Sequence, residues 1–184
     1  MNNNEAELLG LHAGDGTLYR TSWNLVWELR GGLDEKEFYD GHILPLVTSL
    51  FGNHFHTKYR STSNGRKCYG IQSARKEITS FLIQHGFTPG TKVYTARIPR
   101  QILSGLREHK IACIRGLFDT DGCVRFQRVN GAKEHTYPNI EWGLSSLPLA
   151  KDIRTVLLEL GFRCKLAKSS GYHKVTLNGV MEVS

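Results

Sequence analysis

Residues 8–16 read LLGLHAGDG and residues 114–122 read IRGLFDTDG. Each segment sets an aspartate directly before a glycine, at Asp15 and Asp121, with Gly-Leu four and five positions ahead. The two aspartates lie 106 residues apart, about the length of one small domain. A repeat at such spacing points to two copies of one structural unit. Two copies that each end in a carboxylate point to a site with two similar halves.

Elements read from either segment follow the same order. The first half predicts a helix over 5–14 with Gly16 at its C-terminus, then a strand hairpin over 17–30 turning near 20–23. A helix follows over 34–50, with Asp34 as N-cap, acids Glu35 and Glu37 in its first turn and Pro45 as a kink. A second hairpin, 54–60 and 67–73, turns at Ser63-Asn64-Gly65. A helix over 74–85 ends at Gly86, and a Pro/Gly loop leads to a short helix over 100–108. The order then restarts: a helix over 110–120, strands over 123–129 and 139–145, a helix over 149–160 ended by Gly161, and a hairpin of 162–168 and 172–178 turning at Ser170-Gly171. The fold class is α+β, with repeats at 1–90 and 110–184 and a linker with a short helix at 91–109. The second repeat stops six residues after Asn178, so it is either truncated or minimal.

Composition sets the surroundings. The 184 residues are 40% hydrophobic, enough for a packed core. No apolar run has bilayer length, and the Met-Asn-Asn-Asn-Glu start has no secretory pattern, so an intracellular protein is expected. Cys68, Cys113, Cys123 and Cys164 form no CxxC pair, which disfavours a zinc ribbon and favours reduced thiols. The net charge of +7 and pI near 9.3 favour an anionic partner, nucleic acid first.

Gly10 and Gly14 share a helix face, as do Gly116 and Thr120. Small residues at that spacing let two helices approach closely, with Asp15 and Asp121 side by side at the aligned ends. A carboxylate at a helix C-terminus faces the negative end of the macrodipole, and the second carboxylate adds repulsion. A cation relieves both, and carboxylates with backbone carbonyls suit Mg²⁺, with Mn²⁺ or Ca²⁺ able to substitute for binding. Such a site can activate water and stabilise the leaving oxygen of a phosphodiester.

LLGLHAGDG and IRGLFDTDG resemble the two motifs of the LAGLIDADG homing endonucleases in their single-chain, two-repeat form. Ala13 departs from the name-giving pattern, whereas Asp119 keeps its first aspartate. The resemblance implies two pseudo-symmetric αββαββ(α) half-domains, a saddle-shaped antiparallel sheet astride double-stranded DNA, and metal-dependent cleavage of both strands by a monomer. It places the acidic position on Asp15 and Asp121 and metal-touching carbonyls on Gly14 and Thr120. The segment Gly90-Thr91-Lys92, followed by Ile98-Pro99, is similar to the stretch that carries a catalytic-centre lysine, which falls on Lys92. Both aspartates being present favours a cleaving enzyme, intron-encoded and free-standing, over a non-cleaving RNA maturase or DNA-binding regulator. The lack of flanking protein-splicing sequence disfavours an intact intein.

Strand alternation marks a candidate DNA face. With Leu25, Trp27 and Leu29 inward, Asn24, Glu28 and Arg30 face outward. Inward Phe55, Tyr59, Tyr69 and Ile71 leave His54, His56, Lys58, Arg60 and Gln72 outward, with Arg66 in the turn. In the second half, inward Val124, Phe126, Ile140, Trp142, Leu144, Phe162, Cys164, Leu166, Val175 and Leu177 leave Arg125, Gln127, Asn139, Glu141, Ser145, Arg163, Lys165, Lys174 and Thr176 outward. Bases and amides suit phosphates and base edges. His54 and His56 have no further ligands at metal spacing, so zinc is not expected there. Ser145-Ser146 has no base nearby, so a hydrolase triad is not expected.

Overall fold

Asn2 starts the chain's first helix, α1 (Asn3–Gly14). Its side chain accepts from the Glu5 amide at 2.9 Å, and the Glu5 carboxylate accepts from the Asn2 amide at 2.6 Å. This reciprocal cap satisfies two of the donors a helix start leaves unpaired. In the computed structural model, which describes residues 1–61, 64–128, 133–134 and 136–178, α1 leads into β1 (Thr17–Arg20) and β2 (Leu25–Gly31). Next come α2 (Lys36–Phe38), a π-helical turn (Tyr39–Ile43) and α3 (Leu44–Phe51). The half closes with β3 (Thr57–Ser61), β4 (Lys67–Ser73) and α4 (Lys76–Gln84).

After α5 (Arg100–Leu103), the second half runs α6 (Arg107–Asp121), β5 (Gly122–Gln127), β6 (Tyr137–Leu144), α7 (Leu147–Glu159), β7 (Cys164–Lys168) and β8 (His173–Asn178). Both halves build a four-stranded antiparallel sheet with matching order, β1-β2-β4-β3 and β5-β6-β8-β7. The expected α+β architecture is present. Among the described residues, no helix is long and apolar enough to cross a membrane.

Several local expectations need correction. Asp34 does not cap a helix; α2 starts after Glu35, with no side-chain cap. The Glu35 carboxylate instead accepts from the Gly32 amide at 2.9 Å. The helix over 34–50 is divided before Pro45, by the π turn, where a missing backbone donor costs least. Asp40 in that turn accepts from Thr57 and Tyr69, each at 2.7 Å, and so pins it to β3 and β4. The short helix expected over 100–108 stops at Leu103, and its last residues belong to α6. The strand expected over 123–129 is observed to Gln127, and Val129 lies outside the described residues, as does Ser63 of the second hairpin's turn. The remaining turn glycines behave as expected: Gly65, Gly86, Gly161 and Gly171 all have positive φ, between 79° and 98°.

The seam between the halves is α1 against α6. A Cβ on Gly10 would collide with the Cys113 carbonyl, and one on Gly116 with the Glu7 carbonyl. Backbone therefore meets backbone at both glycines, the close approach their spacing implied. Gly16 is not the left-handed helix terminator it resembled, since its φ is not positive. It is small because a Cβ there would strike the His12 ring, and Gly122 stands in the same relation to the Phe118 ring.

The core is continuous across the seam, from Leu8, Leu11 and Trp27 to Leu117, Trp142 and Val175. Among the described residues, its cover is unequal. In the first half α4 lies over the sheet, with Ile78 and Leu82 fully buried, Phe81 against Phe51 and Phe87 against His12. Phe118 and Leu160 hold the corresponding places in the second half, and there they line an open apolar cavity of about 440 Å³ with Ile114, Trp142 and Leu177.

Candidate active centre and nucleic-acid face

The two motif helices end together. Asp15 is the C-cap of α1, and Asp121 is the last residue of α6. A carboxylate oxygen of Asp121 lies 3.0 Å from where a Gly14 Cβ would stand, and Thr120 packs on the same spot. Glycine at 14 is therefore what admits the second aspartate beside the first.

Lys92 completes the centre from the loop after α4. Its ammonium donates to the carbonyls of His12, at 2.6 Å, Ala13, at 2.7 Å, and Gly14. These are acceptors that the end of α1 leaves unpaired. An ammonium has three N–H donors and no acceptor, so Lys92 sits here as a cation capping the helix. The Gly14 carbonyl, expected to face metal, is one of its partners.

The electrostatics follow from crowding. Burial and the neighbouring Asp121 charge raise the Asp15 carboxyl to about 6, with Lys92 opposing. Burial raises Asp121, and Lys92 again opposes. Burial also lowers Lys92 to about 8, against the pull of both aspartates. Chemistry that needs ionised Asp15 and charged Lys92 is therefore expected to rise through about pH 6 and fall above about pH 8, in a bell-shaped pH–rate profile. A rate that kept climbing past pH 9 would mean that neutral Lys92 is the active form.

The aspartate pair fits a divalent cation in its donor set and in its crowded like charge, which Lys92 opposes. Among the described residues, one group of three has metal-like spacing: Glu7, His42 and Asp119. Buried Glu7 already bonds His42 at 2.6 Å and Arg115. These contacts join α1, the π turn and α6, so the group reads as a polar clamp across the seam. Sequence reasoning missed it, because the partners lie 35 and 108 positions from Glu7. It also missed buried His12, whose signal was a histidine in an otherwise apolar helix stretch.

Strand register defines the outer face of each sheet. In the first, Lys58 pairs opposite Gly70, Arg60 opposite Cys68, and Glu28 between Thr17 and Gln72. His54, His56 and Lys58 are exposed, and they line one groove with Gln72 and Arg75. Gln72 donates to the Tyr19 hydroxyl at 2.5 Å. Asn24 and Arg66 are exposed near the hairpin ends, and Arg30 is half-buried. In the second sheet, Arg125, Gln127 and Lys165 are exposed on the outer face, and Lys174 and Thr176 are half-buried. Ser145 and Arg163 are exposed just beyond the strands.

Three residues expected to be open on this face are buried: Glu28, Asn139 and Glu141. Glu28 pairs with Arg30 at 3.3 Å, and Glu141 with Arg125 at 2.9 Å and Lys174 at 3.0 Å. Asn139 bonds Asn178. Arg30 on the same strand holds Glu28, and neighbours on adjacent strands hold Glu141 and Asn139, so these residues fix the orientation of the bases around them. Conversely, Tyr59, Val124 and Phe126 lie on the inner side by register, yet are 65%, 50% and 56% exposed. They sit on edge strands, and Tyr59 leans on Tyr69, with ring centres 4.8 Å apart. Phe162, also expected inward, is exposed and precedes its strand.

The LAGLIDADG-like domain family matches residues 108–182. The homing endonuclease I-DmoI, as mesophilic variants, superposes with a TM-score of 0.67 at 16% identity, over 95% of this chain and 88% of that one.

The chain has the LAGLIDADG fold.

I-DmoI in complex with DNA and Mn has a similar LAGLIDADG fold, with a TM-score of 0.65 at 16% identity over 95% of this chain and 89% of that one. So does the N-terminal LAGLIDADG domain of DUF199/WhiA, with 0.59 at 15% identity over 100% and 79%. At these identities the likeness is one of fold. The replicative DNA helicase DnaB of Rhodothermus marinus is 28% identical over 128 residues, which are 66% of this chain and 13% of that protein. DnaB of Synechocystis sp. is 31% identical over 97 residues, 49% and 11%. This chain therefore resembles a small segment of each helicase.

Proposed function

We propose that this protein is a site-specific, metal-dependent double-strand DNA endonuclease, active as a monomer and encoded by an intron. The observation that carries the reading is the convergence of Asp15, Asp121 and Lys92 at the paired ends of α1 and α6. In this reading, residues 1–90 and 110–184 are its two repeats, and each contributes one aspartate and one sheet. Asp15 and Asp121 hold divalent cation, Mg²⁺ first, with the Thr120 carbonyl beside them. The Gly14 carbonyl can join only where Lys92 yields it. Bound there, the metal lowers the pKa of water and neutralises phosphodiester charge. Lys92 contributes fixed positive charge and holds the end of α1 in place.

The two outer faces supply DNA contacts. If about eight basic side chains meet phosphates, log affinity falls with log salt at a slope of about −7. Exposed Lys58 and Lys165, one on each sheet, are expected to lower that slope by about one each when replaced by alanine. Unchanged slopes would remove those faces from the interface.

A second reading, a non-cleaving binder, draws on the WhiA domain of the same fold. The assay that separates the two is nicking and cleavage of a duplex-site library with Mg²⁺, comparing the native chain with Asp15→Asn and Asp121→Asn. Cleavage by the native chain alone supports the enzyme. Binding without any cutting, in all three, supports the binder.

A further inference from the structure

The tip of the β1–β2 hairpin holds a tryptophan in water. Trp23 is 90% exposed, whereas the other two tryptophans, Trp27 and Trp142, are 0% and 2% exposed. The turn that presents it is built. The Thr21 amide donates to the Asn24 carbonyl at 2.8 Å, and the Thr21 hydroxyl accepts from the Asn24 amide at 3.0 Å. The same hydroxyl donates to the Asn24 carbonyl at 3.1 Å and accepts from the Trp23 amide at 3.4 Å. One threonine thus locks the four-residue loop and leaves the indole outside it. A large apolar ring held in solvent by a rigid turn loses little entropy on meeting a partner, which is how aromatic anchors gain affinity.

Position narrows the partner. Trp23 follows Asp15 by eight residues, most of them in strand β1 and its turn. At strand rise this puts the tip about 20 Å from the aspartates, the length of about six base-pair steps. Thr17, Tyr19, Gln72 and Lys58 lie on the outer face of the same sheet.

We propose that Trp23 stacks on a nucleobase at a base step that it opens at the flank of the bound duplex, about six base pairs from its centre, where unstacking of that step offsets part of the contact. The proposal rests on the DNA-binding reading above. A stacked base is a neutral contact, so it adds affinity without adding to the salt slope. This separates it from Lys58 and Lys165.

The test uses the full chain and a pool of random-sequence 30-base-pair duplexes, with binding followed by anisotropy of labelled duplex. With two tryptophans buried, the acrylamide-quenchable emission belongs to Trp23. Added duplex is expected to quench that emission and shield it from acrylamide, and Trp23→Phe to abolish the shielding signal. Trp23→Ala should weaken binding by at most about tenfold with the salt slope unchanged, since unstacking of the step offsets part of the gain from the stacked base. Duplex binding with Trp23 still fully accessible to acrylamide would overturn this proposal alone. A Trp23→Ala slope that falls as it does for the lysines would do the same. No rise in anisotropy for the native chain would overturn the DNA reading, and this proposal with it.

Discussion

Asp15→Asn and Asp121→Asn are each expected to abolish double-strand cutting while duplex binding survives. An amide keeps the shape and one acceptor oxygen but not the charge that a divalent cation requires. Loss of one metal-bearing oxygen pair of this kind is expected to slow chemistry by at least about a thousandfold. Stability should move the other way. The folded Asp15 carboxyl titrates at about 6, above its ordinary value of 3.8, mainly from burial and secondarily from Asp121. A raised carboxyl holds its proton more tightly folded than unfolded, so its stability contribution is present at low pH and is lost as pH rises from about 4 through 6. Asn at 15 removes that loss. Its melting temperature should therefore exceed the native value at pH 7.5, and the gain should shrink below pH 6. A variant less stable than native at pH 7.5 would count against the charge-crowded centre, and undiminished cutting by both would remove the aspartates from the chemistry.

Gly116→Val is expected to damage the whole protein. Its Cβ would meet the Glu7 carbonyl and the Leu11 amide, which are backbone atoms that no rotamer change can move. The two helices must separate, which disturbs the polar clamp at Glu7 and the aspartates at their ends. A cost of at least about 3 kcal/mol follows, or about 10 °C in Tm for a chain of this size. Gly41→Ala is the control: no atom lies within 4 Å of its Cβ position, so helix propensity alone acts and Tm should hold or rise. Equal effects from the two substitutions would contradict a seam closed by backbone contact.

Much of the architecture was legible because it is written twice. Asp15 and Asp121, the hairpin glycines and the order of elements each appear in two registers of the chain, so one half checks the other. Alternation of residues in strands separated inner from outer sides correctly for Trp27, Ile71, Trp142 and Val175. It could not say where helical cover ends. Tyr59, Val124 and Phe126 have inner-side parity on edge strands, where they stay exposed. Nor could it foresee that Glu141 would vanish between Arg125 and Lys174, because cross-strand partners depend on register. The part played by the carbonyls of His12, Ala13 and Gly14 in seating Lys92 was equally invisible: it belongs to backbone geometry, and the residues meet across about eighty positions of chain.

The seam has a consequence for how the molecule can be divided. Leu8 and Leu11 on one side and Leu117 on the other share one core across it, and Gly10 and Gly116 let backbone meet backbone there. Each half therefore leans on the same shared wall, and a half lifted out alone would bare part of its own core. Exchange of halves between related proteins would be limited by that wall: the seam glycines, more than either sheet, decide which partners are compatible.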